Sequence, residues 1–516
     1  LVVDAYEGTM PQTRFVLKKA LEQNLKPVVV VNKIDKPAAR PEGVVDEVLD
    51  LFIELEANDE QLDFPVVYAS AVNGTASLES DKQDENMQSL FETIIDYVPA
   101  PIDNQDEPLQ FQVALLDYND YVGRIGVGRV FRGKMRVGDN VSLIKLDGSI
   151  KNFRVTKIFG YFGLKREEIE EAQAGDLIAV SGMEDINVGE TVTPHDHQEA
   201  LPVLRIDEPT LEMTFRVNNS PFAGREGDYV TARQIQERLE QQLETDVSLK
   251  VTPTDQPDAW IVAGRGELHL SILIENMRRE GFELQVSKPQ VILREIDGVL
   301  SEPFERVQCE VPSENAGAVI ESLGARKGEM LDMMTTDNGL TRLIFMVPAR
   351  GMIGYTTEFM SMTRGYGIIN HTLEEFRPRV KAQIGGRRNG ALISMDQGQA
   401  TSYAIINLED RGVNFMEPGT EVYEGMIVGE HNRENDLTVN ITKAKHQTNV
   451  RSATKDQTQT MNRPRILTLE EALQFINDDE LVEVTPENIR LRKKILNKSA
   501  REKEAKRVKQ MMQEDQ

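Results

Sequence analysis

Three observations predict a multidomain protein that runs α/β, then all-β, then α+β twice, and ends in a mostly β region with a basic helical tail. At 516 residues the chain is too long for one hydrophobic core. The spacing of apolar residues changes along it, from alternating strand and helix runs to short strands punctuated by glycine. The stretch Pro99-Ala-Pro101 followed by Ile-Asp-Asn-Gln-Asp reads as a stiff polar linker where that change begins. With 40% hydrophobic and 28% charged residues the composition is globular. No apolar run approaches the roughly 18 residues of a membrane span. The single cysteine, Cys309, excludes an intramolecular disulfide framework and Cys-based zinc ribbons, and a reducing cytoplasmic setting is expected.

Residues 1–100 place strand ends near Asp4, Val31 and Ala69, with helical patterns at Thr13–Gln23 and Val44–Glu56 between them. This βαβ rhythm implies a parallel sheet, and the apolar run Val28–Val31 suits a strand buried on both faces. Residues 105–200 carry glycines such as Gly123, Gly133, Gly148 and Gly182 among Val/Ile strands, which predicts an antiparallel barrel. A dinucleotide reading of Gly126-Val-Gly128 fails, because Phe131 stands where the third glycine belongs and no helix follows. Residues 203–290 and 302–380 each read strand–helix–strand–strand–helix–strand, predicting two ferredoxin-like α+β domains. The first takes its helices from Thr231–Leu243 and Leu268–Glu280, the second from Ala316–Leu323 and Gly354–Thr363. Residues 381–516 are the mostly β domain and its tail.

The formal charge of −26 argues against general nucleic-acid affinity, but it is unevenly spread. Residues 1–380 carry 38 basic against 64 acidic residues, while 381–516 balance 21 against 21. Within the latter, His431–Arg465 holds 7 basic and 3 acidic residues and Arg490–Lys509 holds 10 and 2. Such segregation permits local contact with RNA. A solvated helical face explains the tail equally well.

The chemistry concentrates at Asn32-Lys33-Ile34-Asp35, delivered at the end of a buried strand. Guanine presents an N1–H and a 2-amino group side by side, and the Asp35 carboxylate can accept both. Adenine has an acceptor at that edge, so a site of this kind discriminates by roughly 10⁴–10⁵-fold. Asn32 would bond the base edge and tie adjacent loops together, and the Lys33 stem would lie along base and ribose. Ser70-Ala71, at the end of the next strand, would offer a backbone N–H to the guanine oxygen. A phosphate-cradling loop with Lys and Ser/Thr occurs nowhere in the 516 residues, nor does the Asp-containing Mg²⁺ motif that accompanies it. Asp4 is expected to be a strand-end turn residue. His195 and His197 in a polar loop read as a solvated turn rather than a metal site. Cys309 reads as core, and Glu267 and His269 as capping and packing residues.

With these residues and this domain order, the chain resembles the translational GTPases of the elongation factor G class, and among them the ribosome-associated TypA/BipA family. Gly123–Gly133 resembles the family's second-domain barrel, Gly264–His269 its third-domain helix start, and Arg364–Asn370 the last strands of its fifth-type domain. The short connector from Pro289 to Pro303 leaves no room for the domain that elongation factor G inserts there. Gly385–Gly390, Asp410–Gly412, Val422–Gly425 and Asn435–Asn440 resemble the terminal domain particular to TypA/BipA.

The resemblance implies GTP and GDP as ligands, with Mg²⁺ held by a segment upstream of Leu1. Roughly the first 80 family residues look missing. No catalytic residue is therefore carried over, and this chain alone is expected to be inactive. The resemblance further implies contact with ribosomal RNA and a tRNA acceptor arm, through Arg433, Asn435, Asp436, Lys443, Lys445, Asn449 and Arg451. It implies action in translation or ribosome assembly under stress, by a monomer when off the ribosome. Two alternatives remain at this point: a non-enzymatic ribosome- or RNA-binding factor with a defunct nucleotide domain, and a back-translocase (LepA-type) translational GTPase.

Overall fold

A computed structural model of the chain describes all residues except 101–103, 120, 164, 184, 205–207, 336–338, 383, 445–460 and 515–516. The described residues form two compact units, Leu1–Asn104 and Gln105–Gln516.

In the first unit, strands β1 (Val2–Asp4), β2 (Val29–Asn32) and β3 (Val66–Ser70) pair in parallel, and β4 (Thr75–Ser77) adds an antiparallel edge. Helix α1 (Pro11–Glu22) and helix α2 (Pro41–Glu54) both start with proline in the first turn, where its missing N–H costs nothing. Along α2, Val44, Val48, Leu51 and Phe52 are buried; this spacing forms one stripe of a 3.6-residue helix. The stripe packs with the fully buried Val29 and Val31 of β2 in one core. Register brings Asp4 opposite Asn32 and Asn32 opposite Ala69, so three strands end level. Crevices beyond such carboxyl ends are where open α/β sheets bind ligands.

The second unit opens with an eight-stranded antiparallel sheet over residues 110–194, joined by a two-stranded pair, around a core that includes Phe111, Val130, Met135 and Ile178. Gly128 lies on the strand Gly123–Arg132 of this sheet, where a Cβ would come 1.8 Å from the Gln112 carbonyl oxygen. The glycine serves close strand packing.

The next module orders its strands Lys250–Pro253, Ala259–Gly264, Leu211–Val217, Leu284–Val286, with helices Ala232–Leu243 and Glu267–Arg279. The following one orders Glu329–Thr335, Leu340–Pro348, Val299–Pro312, Ile368–Pro378. Cys309 lies 1% exposed in its core beside Val307 and Val311, and burial pushes its thiol up to about 12.

Sequence reading separated residues 203–290 from 381–516, but the structure joins their strands. Leu284–Val286 pairs antiparallel with Glu480–Val484, which continues through Ile489–Lys493, Met426–His431, Ala391–Ser394 and Leu437–Val439 into one eleven-stranded sheet. A second correction concerns the basic run Arg490–Lys509. Its first part is the strand Ile489–Lys493, in which Arg492 and Lys493 are only 3% and 2% exposed, and the helix begins at Lys498. Burial forces pairing. Arg490 meets Glu226 and Glu483, and Lys493 meets Asp436, Asp479 and Glu480 at 2.6–2.8 Å.

Candidate functional site

Asn32 closes β2, Lys33-Ile34-Asp35 forms the turn beyond it, and Ser70-Ala71 stands where β3 ends. The structure brings these residues together. Asn32 Oδ1 accepts the Ala71 N–H at 3.0 Å, while the Asn32 carbonyl accepts the Ala5 N–H at 2.8 Å. One residue thus ties three strand ends. The Ser70 hydroxyl, on a side chain 1% exposed, donates to Asp35 Oδ1 at 2.6 Å and fixes the orientation of a carboxylate that is itself exposed. The Ile34 N–H donates to the Ala69 carbonyl at 3.4 Å, holding the turn against the next strand.

Lys33 follows β2 directly. Its backbone takes the left-handed conformation at φ 67°, and its ammonium reaches back to Asp4 Oδ2 at 2.7 Å. With the Tyr6 N–H at 2.8 Å and Lys36 at 3.4 Å, this contact holds Asp4 well below the usual carboxylate range. Asp4 is a strand-end anchor for the loop that carries Asp35, and spacing alone gave no signal of that role.

Among the predicted RNA-contact residues, Arg433, Asn435 and Asp436 lie in the loop between strands Met426–His431 and Leu437–Val439, and Lys443 follows the second strand. Arg433, Asn435 and Lys443 are exposed. Lys445, Asn449 and Arg451 fall outside the described residues. The Asp436 carboxylate is engaged internally, accepting from Lys493 Nζ at 2.6 Å and from the Ala391 N–H at 2.8 Å. Burial opposes its charge, but Lys493 outweighs that and lowers its pKa. Gly390 donates its N–H to the Arg433 carbonyl at 2.6 Å, and a Cβ there would lie 2.1 Å from the Asn435 carbonyl oxygen. The His431 Nδ1–H donates to that same carbonyl at 2.6 Å. Asp436, Gly390 and His431 therefore shape the loop, leaving Arg433 and Asn435 outward.

The remaining candidates have structural partners. His195 Nδ1 lies 2.7 Å from the Ser142 hydroxyl and His197 Nε2 3.3 Å from Glu199. Glu267, in the first turn of its helix, accepts from the Gly354 N–H at 3.1 Å, and burial raises its pKa. His269 accepts the Arg265 N–H on Nδ1, so its Nε2–H donates to Asp246 at 2.6 Å.

A strand-end guanine-type turn followed by a β-sheet module and two α+β modules defines the class of translational GTPases. Family models agree along the chain: residues 1–100 match the elongation factor Tu GTP binding domain, and 123–193 match elongation factor Tu domain 2. Residues 228–288 match elongation factor G domain III, and 299–384 match the elongation factor G C-terminus. Residues 389–498 match the TypA/BipA C-terminal domain. The chain is 74% identical over 509 residues to the large ribosomal subunit assembly factor BipA of Bacillus subtilis, covering 99% of this chain and 83% of that protein. It is 52% identical over 493 residues to the protein so named in Synechocystis, covering 96% and 82%. Against that of Escherichia coli K12 it is 50% identical over 501 residues, covering 97% and 82%. The chain belongs to the TypA/BipA family.

Proposed function

We propose that this protein is a ribosome-associated GTPase that acts in assembly of the large ribosomal subunit, with guanine read by Asn32, Asp35, Ser70 and Ala71. The observation that carries the nucleotide reading is the Ser70–Asp35 hydrogen bond at 2.6 Å, which aims an exposed carboxylate beyond the carboxyl ends of the parallel strands. The assembly role rests on relatives that bear that description and match nearly the whole chain. GTP and GDP are the ligands of this reading. The Lys33 stem and Ile34 would line the base, and Asp4 would hold Lys33 in place. Mg²⁺ belongs to the same chemistry, but among the described residues no group of three or more His, Cys, Asp or Glu is arranged to hold a metal ion. Guanine recognition is the part of this chemistry that Asn32, Asp35, Ser70 and Ala71 support.

The finer architecture fits this reading: two ferredoxin-like α+β domains follow a translation-factor barrel, and a TypA/BipA-type domain ends the chain. Arg433, Asn435 and Lys443 would contact ribosomal RNA and a tRNA acceptor arm through phosphates and sugars, with Lys445, Asn449 and Arg451 joining them. Asp436 would anchor that loop. The protein would act in the cytoplasm as a monomer off the ribosome.

Titration of GDP, ADP and XDP against the chain and Asp35→Asn tests the nucleotide half. GDP should bind in preference to ADP. Losing a charged acceptor should weaken GDP by roughly 10-fold or more and shift preference toward XDP, whose 2-oxo group accepts. Equal affinity for GDP and ADP overturns the assignment. Sedimentation with large ribosomal subunits tests the other half, and a chain that stays in the supernatant refutes it.

A further inference from the structure

The strand Ile489–Lys493 and the helix Lys498–Glu514 are continuous in sequence and equally basic, yet they differ in fate. Strand cations are buried against Glu226, Glu483, Asp436, Asp479 and Glu480. Helix cations face water: Lys498 and Arg507 side chains are 54% and 69% exposed, and Lys503 and Lys506 are exposed too. From Lys498 to Arg507 there are 5 basic and 2 acidic residues on a chain whose net charge is −26. Lys503, Lys506 and Arg507 stand at i, i+3 and i+4, so they share one face. Glu504 is tied to Arg507 at 2.9 Å. A concentrated positive face on a strongly acidic protein does not serve solubility, which the acidic excess already provides.

The helix is also held firmly at its base. Asn497 Oδ1 accepts the Ala500 N–H at 3.1 Å, and Glu424 Oε1 accepts from both Asn497 Nδ2 and the Lys498 N–H at 3.2 Å. Arg501 folds back onto the Ile495 carbonyl at 3.1 Å and onto that of Leu496. Leu496 packs against the core of the last domain and lies where Gly425 has no side chain. Arg501 lies within electrostatic range of Asp436 and Asp479. The strand Ile489–Lys493 thus holds the Arg433–Asp436 loop through Lys493 and Asp436, and the chain leaving that strand enters the helix whose base is fastened to Glu424.

We infer that the helix Lys498–Glu514 is a second RNA-contact element, presenting Lys503, Lys506 and Arg507 to backbone phosphates beside the Arg433–Lys443 loop. The inference deepens the proposed ribosomal role and rests on it. RNA is favoured over a membrane because the apolar residues larger than alanine in Lys498–Glu514 are confined to Val508, Met511 and Met512 at its far end, too few for the long apolar face that insertion needs. Charge without aromatic stacking groups points to the backbone of a duplex rather than to unpaired bases.

The test is fluorescence anisotropy of the full chain with a labelled RNA duplex of about 20 base pairs, across a potassium chloride series. The triple variant Lys503→Gln/Lys506→Gln/Arg507→Gln should weaken binding at least 10-fold at low salt. It should also reduce the slope of log affinity against log salt by roughly two to three. A parallel pair, Arg433→Gln/Lys443→Gln, separates this inference from the loop reading. Loss with the triple but not the pair supports the helix and removes the loop. Loss with the pair alone overturns the helix and keeps the loop. Unchanged affinity and slope in the triple overturn the inference. So does a triple that loses binding only to phosphatidylglycerol vesicles. Unchanged circular dichroism confirms that these exposed positions leave the fold intact.

Discussion

Lys33 shows how much a single residue contributes to the strand-end turn of the first unit. Its left-handed backbone, φ 67°, is a conformation that costs a non-glycine residue of order 1 kcal/mol. Two contacts offset it: the ammonium on Asp4 and the Ile34 N–H on Ala69. The placing of Asn32-Lys33-Ile34-Asp35 at the end of a buried strand was legible in the sequence because its parts are contiguous and follow an apolar run. The Lys33–Asp4 contact was not, since 29 positions separate the partners and either could have faced solvent. His269 and Asp246 form another pair whose energetics belong to this scale. Burial pushes Asp246 up, but the His269 and Ser248 hydrogen bonds outweigh it and hold the carboxyl at about 2, against 3.8 normally. A depressed folded pKa contributes stability that is fully present above the unfolded value and lost as pH falls through the folded one. The shift corresponds to about 2 kcal/mol at neutral pH. Urea unfolding should therefore show Asp246→Asn destabilised by about that amount at pH 7, with the gap narrowing below about pH 4 and closing as the pH falls through about 2. A gap independent of pH would show that the pair carries no such stabilisation.

Among the elements, the loop Arg433–Asp436 is the one whose shape the sequence left hidden. Its basic and amide residues stood out by composition. The features that hold it lie elsewhere in the chain: Gly390, Ala391 and Lys493. Gly390 carries no turn signal of its own, and its backbone is not left-handed. Glycine is required there because the Asn435 carbonyl oxygen occupies the space a Cβ would fill, at 2.1 Å. Gly390→Ala must push the loop outward or break the Gly390–Arg433 backbone bond. The expected result is a loss of about 1–3 kcal/mol in unfolding free energy, the usual cost of overpacking, together with weaker binding to the RNA duplex. Normal stability and normal RNA affinity in that variant would mean that the loop's geometry is not set here. The same logic explains why the basic run Arg490–Lys509 misled. Charge counts along a sequence cannot reveal that Glu226 and Glu483 meet Arg490, or that Glu480 meets Lys493. Strand Ile489–Lys493 is basic because it crosses an acidic interior, whereas the helix after it is basic on the outside.

At the scale of the whole molecule, the eleven-stranded sheet decides which parts can fold alone. Periodicity read residues 203–290 as an α+β set of strands and helices, but it could not show that the strand Leu284–Val286 is shared. Leu284–Val286 has Leu211–Val217 on one side and Glu480–Val484 on the other, and all three of its residues are buried. Helix Leu469–Phe475 packs on the same core as helix Glu267–Arg279, with Leu473 and Ile274 both fully buried in it. A polar network crosses the seam: Glu483 accepts from Asn218 at 2.9 Å, Ser220 at 2.7 Å and, through its other oxygen, Tyr423 at 2.7 Å. Removing residues 385–516 would therefore strip one side of a central strand, take the Glu483 acceptor from Ser220 and leave Asn218 only its bond to Glu283. An unpaired apolar edge of this kind invites association. A chain ending at Ile384 should aggregate, or unfold in urea with a slope smaller than its length predicts, because the slope follows the surface exposed on unfolding. If that shortened chain stays monomeric and unfolds with the full slope for its length, the third module stands alone and the shared sheet is merely a docking contact. If it does not, residues 385–516 and the α+β module of residues 203–290 are one folding unit, coupled through the pairing of Leu284–Val286 with both Leu211–Val217 and Glu480–Val484.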